Sequence, residues 1–271
     1  MIKIIKKFLL IIFILGPVHL SIAAGDSQIS DQMKHRRAVE AAIWGMPLVS
    51  MRGIIKSTRR DLQADWNDVV YFSKPMVSRH GFLTANISTP YVIASFNTLD
   101  GPIVVEVPAT SNYVKLFGSF VDAWEYPIAD VGPKGADLGK GAKYLLLPPG
   151  YDGVVPKSGY LVLRPDTHAV YAALRPVISA AVTTDQLTEY VKKLRVYPLA
   201  MADNPPQTRL IDAYPKKWNT LAKYDLSYFE DLSDVIFEEP VLQRDLVMMG
   251  MLDSIGIRKG EPAESSSGLV H

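Results

Sequence analysis

The chain has 271 residues, 48% of them hydrophobic and 21% charged, with 29 Lys and Arg against 28 Asp and Glu. That is the composition of a globular chain able to bury its own core, and a formal net charge of +1 offers no global field for nucleic acid. The absence of cysteine excludes disulfides, thiolate zinc sites, iron–sulfur clusters, a cysteine nucleophile and a lipoprotein anchor.

Residues 1–24 stand apart. Lys3, Lys6 and Lys7 precede an unbroken apolar run from Phe8 to Leu15, Gly16 and Pro17 break it, and the small residues Ser21, Ala23 and Ala24 follow. This is the order of a cleavable secretory signal, with cleavage expected near Ala23 or Ala24. The run is shorter than the roughly 20 apolar residues a membrane-spanning helix needs. The expectation is an exported protein, periplasmic or secreted, with no membrane span after cleavage. Removing three lysines and no acidic residue turns 29 against 28 into 26 against 28, a formal −2.

Residues 25–33 are polar, and helical periodicity begins near Asp31. Val39, Ala42, Ile43 and Met46 recur at three- and four-residue spacing, Gly45 and Pro47 interrupt, and Val49, Met51, Ile54 and Ile55 resume. This predicts helix, kink, helix over about 31–60. The middle of the chain, about 68–175, reads as short strands: Val69–Phe72, Tyr91–Phe96, Ile103–Val107, Tyr113–Val121, Tyr144–Leu147, Tyr160–Leu163 and His168–Leu174. Gly and Pro separate them, and no helix lies between them, which favours an antiparallel sheet over a doubly wound one. The last third is helical again. Thr183 and Gln186 have capping-box spacing, as do Ser227 and Glu230, and Pro240 suits a first helical turn before Leu242, Leu246, Met249 and Leu252. Residues 201–218 read as a long surface loop. The fold class is therefore α+β: a predominantly antiparallel, sandwich-like sheet core flanked by N-terminal and C-terminal helices. The domain plan is a leader over 1–24, one domain over 31–260 and a disordered tail over 261–271.

Motifs of known chemistry are missing. Gly139-Lys140-Gly141 fails the phosphate-loop pattern, and neither HExxH nor GxSxG occurs. His35, His80 and His168 share no ligand spacing, so neither a metal site nor a cofactor is assigned. The densest set of polar and aromatic residues is 86–126. Asn86, Thr89 and Tyr91 enter one strand. Asp122, Trp124 and Tyr126 alternate as strand residues sharing a face, so a carboxylate beside aromatic rings could hold a sugar or another polar ring. The candidate ligand site is Asn86, Thr89, Tyr91, Asp122 and Trp124, with His168 and Arg175 as secondary candidates.

Several segments resemble one family in order. Ala42-Ile-Trp-Gly-Met-Pro-Leu-Val49 is similar to the opening of the family called domain of unknown function 1254. Asn86-Ile-Ser-Thr-Pro-Tyr91 resembles its Asn-x-Asp-Thr-x-Tyr segment, Gly101-Pro-Ile-Val-Val-Glu-Val-Pro108 its strand, and Tyr144-Leu-Leu-Leu-Pro-Pro-Gly150 a later segment. Arg175 sits where that family often has arginine. The resemblance implies an exported cell-envelope protein with a β-rich domain, usually followed by a jelly-roll-like partner domain (unknown-function family 1214). It supplies no catalytic residue. The chain departs from the pattern at Ser88, where the motif has aspartate, at Asn97, where an acidic residue is usual, and at Val131–Gly135. Gly256–Pro262 resembles the junction into the partner domain, of which little follows before His271. The functional expectation is an exported binder of a small polar or carbohydrate ligand. The alternatives are a hydrolase of a small ester, amide or glycoside using Asp122 or His168, or a degenerate paralogue without activity. A second copy or a partner domain remains open as a macromolecular partner.

Overall fold

The computed structural model describes residues 29–178 and 182–261, so the leader and residues 262–271 of the tail lie outside the described residues. Helix α1 (Ile29–Trp44) meets α2 (Met46–Ser57) at a bend of 65°. The expected kink is thus present at Gly45, with Pro47 in the first turn of α2, where its missing N–H costs nothing. A Cβ on Gly45 would come within 2.6 Å of Leu232 Cδ1, so the bend is also where a later helix closes in. A π-helical turn, Thr58–Leu62, ends α2.

Among the described residues twelve strands follow: β1 (Val69–Tyr71), β2 (His80–Gly81), β3 (Val92–Asn97), β4 (Ile103–Val107), β5 (Val114–Asp122), β6 (Pro127–Val131), β7 (Ala142–Leu146), β8 (Leu161–Leu163), β9 (Ala169–Ile178), β10 (Arg195–Pro198), β11 (Leu210–Asp212) and β12 (Trp218–Asn219). Helix α3 (Thr184–Val191) precedes β10, and α4 (Ser227–Glu238) and α5 (Leu246–Asp253) come last. One sheet has the order β11-β1-β3-β9-β5-β6, a second β10-β4-β7-β8, and β12 pairs with β2. Six ladders are antiparallel. The pairs β1–β11, β2–β12 and β7–β8 are parallel.

Alternation along the strands builds the layers. Val92, Ala94 and Phe96 of β3, Val170, Ala172 and Leu174 of β9, and Val114, Leu116 and Phe120 of β5 face the second sheet. There they meet Ile103, Val105, Tyr144, Leu146 and Val196 in one core. The sandwich expected from sequence is formed. The opposite residues of the large sheet face the helices: Ala169 and Tyr171 lie in a core with Leu48, Val49, Met51, Leu232, Val235 and Leu252. Ion pairs join α2 to α4, with Arg52 clasping Glu238 at 2.8 and 2.9 Å and Lys56 on Asp231.

Four local expectations are corrected. The Thr183–Gln186 capping box forms, but the one at Ser227 does not: Ser227 is already helical, and Asp225 Oδ1 takes its N–H and hydroxyl. Pro240 opens no helix, because Glu239 leaves α4 in extended conformation and α5 starts only at Leu246. Strand β9 runs through Pro176 to Ile178. It does so because β3 stops pairing at Leu174, so Pro176 has only β5 beside it and needs no second donor. The loop expected over 201–218 contains β11, whose partner β1 lies far back in sequence.

Candidate functional site

Strand β9 spans the large sheet, and the candidate residues gather at its two ends. Asp122 is opposite Val170, whereas Phe117 is opposite Arg175. At about 3.3 Å per residue the two groups are about 17 Å apart. The sequence candidates therefore divide into two corners.

At the first corner β5 ends in a tight turn. Asp122 does not share a strand face with Trp124 and Tyr126, as the alternation suggested. Its Oδ1 accepts the N–H groups of Trp124 at 2.8 Å and Tyr126 at 2.9 Å, and Glu125 turns the chain with φ of 62°. Asp122 is 2% exposed. Burial raises its pKa, against the pull of those two N–H groups. The Trp124 ring meets Trp44 edge-on at 4.8 Å and lies under the Arg244 guanidinium at 5.8 Å. The crevice there, lined by Trp44, Trp124, Glu239, Pro240 and Asp245, leaves about 10 Å³, room for about one water molecule. His168 donates its N–H to Glu239 Oε2 at 2.5 Å, and Ala169 donates to Oε1 at 2.8 Å. Burial pushes Glu239 up to about 7, although both N–H groups pull it down. Burial also lowers the pKa of His168, whose Nδ1 has no partner among the described residues. No hydrogen bond joins Asp122 to His168 among the described residues.

The second corner is assembled differently. Asn86 Oδ1 accepts from Ser88 N and Oγ, both at 2.7 Å, and from Thr89 N at 3.3 Å, which fixes the polar turn entering β3. Thr89 Oγ1 then accepts from Arg175 Nε at 3.3 Å, and the Arg175 guanidinium lies 5.6 Å from the centre of the Tyr91 ring. The registers Val92↔Leu174 and Phe117↔Arg175 set Tyr91, Arg175 and Phe117 in one row across β3, β9 and β5. Ser119 and Ala173 form the next row. Ser119 donates to Asp130 at 2.6 Å.

This row lies on the helix side of the large sheet but beyond the reach of the helices. Ala173 and Val177 are exposed, and Phe117, Ser119, Tyr91, Thr89 and Arg175 are half-buried. Gly118 makes the row possible. It has φ of 147°, and a Cβ there would come within 2.2 Å of Ala173 O, so only glycine lets β5 lie this close to β9. Among the described residues Thr89 is the one side-chain hydrogen-bond partner of Arg175, and no carboxylate pairs with it. By contrast Arg52, Arg59, Arg209 and Arg258 each have a carboxylate within 4.0 Å.

Phe117 and Ser119 escaped the sequence reading. The only sequence trace of them is strand alternation in β5, which becomes informative once the register with β9 is known. A separate groove beside α3, lined by Lys192, Arg195, Gln207, Thr208 and Arg209, is basic by composition. Of its cations, Arg209 is engaged by Asp68 and the Gln63 carbonyl and Lys192 by Glu189, and Arg195 reaches the Pro205 carbonyl at 3.4 Å and lies over the Tyr197 ring.

Residues 66–198 match the family model described as protein of unknown function (DUF1254), a segment that contains every residue of the Arg175 corner. No curated protein matches the chain. Among solved structures, the VPA0106 protein from Vibrio parahaemolyticus superposes with a TM-score of 0.60 at 16% identity, covering 86% of this chain and 54% of that one. That likeness concerns the fold alone, and it supports the α+β architecture. An uncharacterized protein from Burkholderia cenocepacia gives a TM-score of 0.26 at 12% identity over 62% of this chain and 54% of its own, too little to carry an argument. The chain spans about half the length of these solved structures.

Proposed function

We propose, from the premise that this chain belongs to the DUF1254 family through residues 66–198, that it is an exported binder of a small polar ligand bearing an anionic group. The single observation that carries the reading is Arg175. Its guanidinium is held by Thr89 and the Tyr91 ring, half-buried, on an open sheet face with no carboxylate to neutralise it among the described residues. A planar, permanently charged fork in such a setting suits a carboxylate or phosphate oxygen pair. The exposed Ala173, the Ser119 hydroxyl oxygen and the flanking rings of Tyr91 and Phe117 suit the polar and ring portions of a small acid or sugar acid.

The test is a thermal-shift panel of small carboxylates, sugar acids, phosphorylated sugars and neutral sugars. One acid is expected to raise the melting temperature by about 5 °C or more at a concentration near 100 Kd. Arg175→Gln is expected to abolish that shift. A panel with no response, or an equal shift in Arg175→Gln, sinks the proposal. Export rests on the leader pattern of residues 1–24. Amino-terminal sequencing of the accumulated protein is expected to begin at Ala24 or Gly25, and a start at Met1 counts against it.

A further inference from the structure

Helices α1 and α5 share a surface that the rest of the fold leaves uncovered. Ile29, Met33, Arg36 and Ile43 recur at i, i+4, i+7 and i+14, one stripe along α1. The stripe faces outward: Ile29 is 59%, Met33 57% and Ile43 66% exposed. Helix α5, Leu-Val-Met-Met-Gly-Met-Leu-Asp, is apolar along nearly its whole length, yet only its Leu252 is buried. Val247 on α5 is 75% exposed. A shallow groove between the two helices is lined by Ile29, Met33, Val247 and Met251 and edged by Lys34 and Arg37. Bare apolar side chains clustered in this way mark a contact surface.

Charge indicates which contact. Lys34-His35-Arg36-Arg37 is the longest run of basic residues in the chain, and Arg244, Arg258 and Lys259 flank α5. Acidic side chains on the same surface are largely spent. Glu40 is paired with Arg37 at 2.7 Å, Asp253 and Glu261 are held by Arg258, and Asp245 is buried beside Arg244, so these pairs use Arg37, Arg258 and Arg244 as well; among the described residues Asp31 has neither constraint, and Lys34 and Arg36 have no carboxylate partner. The surface thus presents apolar side chains beside two cations, Lys34 and Arg36, that no carboxylate neutralises among the described residues, although the chain after residue 24 is formally anionic. A helix of this kind lies in the headgroup layer of an anionic bilayer, with its apolar stripe inserted and its Lys and Arg on lipid phosphates. No single helix among the described residues is long and apolar enough to cross a membrane.

We infer that the α1–α5 ridge docks this protein on an anionic membrane surface, with Met33, Ile43 and Val247 inserted and Lys34 and Arg36 on the phosphates. The inference does not depend on ligand binding at Arg175, whose corner shares no residue with the ridge.

The experiment is co-sedimentation of the full chain with vesicles of phosphatidylcholine alone and of phosphatidylcholine with phosphatidylglycerol at three to one. Binding to the anionic vesicles is expected to exceed binding to the zwitterionic ones by about tenfold or more, and to weaken at high salt. The triple variant Met33→Asp, Ile43→Asp, Val247→Asp is expected to lose that binding while keeping the wild-type circular dichroism and melting temperature. Because it retains the leader, the variant separates the ridge from residues 1–24. Should the variant misfold, the exposed charge swap Arg36→Glu with Lys34→Glu gives the same readout. Equal binding to both vesicle types, or undiminished binding by the variants, overturns the inference. A wild-type dimer that ignores vesicles and falls to monomer in the triple variant also overturns it, and gives the ridge to a second copy of the chain.

Discussion

The two ends of β9 carry similar side chains to opposite effect. At the Asp122 end a carboxylate, two tryptophans, an arginine and a buried glutamate meet, and nearly every polar group is already used. Asp122 closes a turn, Glu239 secures the start of β9, and Arg244 covers Trp124. At the Arg175 end there are fewer groups, but among the described residues the guanidinium has one neutral side-chain hydrogen-bond partner and stands beside the exposed Ala173. Chemistry that looks rich in a list of residues can be fully consumed in holding the chain. What makes a site is hydrogen-bonding capacity that folding leaves unused.

That contrast can be broken in three places. The largest effect is expected at Asp122. Asp122→Ala removes a buried carboxylate and leaves the N–H groups of Trp124 and Tyr126 without their acceptor, at a cost of about 2–4 kcal/mol in urea unfolding. A loss below about 1 kcal/mol would show that this corner is not structural after all. The next effect is a pH dependence. Glu239 is raised from 4.5 to about 7 by burial, so the folded state holds the proton more tightly than the unfolded one. The associated stability is fully present below pH 4.5 and is lost as pH rises through 7, on the order of 2–3 kcal/mol. His168, whose ring is pushed toward its neutral form, pulls the other way. The informative quantity is therefore the difference between wild type and Glu239→Gln at pH 5 and pH 8. The variant is expected to lose the decline, and an unchanged pH profile would remove Glu239 as its source. The smallest stability effect is expected at Arg175: Arg175→Gln should change unfolding free energy by about 0.5 kcal/mol or less, while abolishing any acid-induced thermal shift. A large loss of stability there would make the two corners alike and take away the basis for a site.

Much of the architecture is legible in sequence because local signals agree with it. Gly45 and Pro47 mark the bend between α1 and α2, Thr183 and Gln186 cap α3, and Ile103–Val107 alternates and ends at proline. The failures share one cause, a distant or competing partner. Ser227 has the spacing of a cap, but Asp225 reaches its N–H first. The sequence Asp122-Ala-Trp-Glu-Tyr126 alternates like a strand, but the Asp122 carboxylate collects backbone donors and bends it into a turn. β11 is three residues long and is a strand only because β1 lies beside it. The site was half legible. Asn86, Thr89, Tyr91 and Arg175 were each visible, but their separation from Asp122 and Trp124, and their row with Phe117, follow from the register of β9. No window of sequence contains that register.

The parallel ladders bear on when the chain can fold. Val69–Tyr71 waits for Leu210–Asp212, and His80–Gly81 waits for Trp218–Asn219. The edge of the large sheet and the core around Phe72 and Trp218 therefore stay incomplete until most of the polypeptide has been made. Such sequence-distant pairing folds slowly, because loop closure must be accomplished before any contact rewards it. The delay carries a hazard, since half-built sheets expose their edges. It also provides an interval in which the polypeptide is still a thread, narrow enough to pass through a channel that its folded form could not enter.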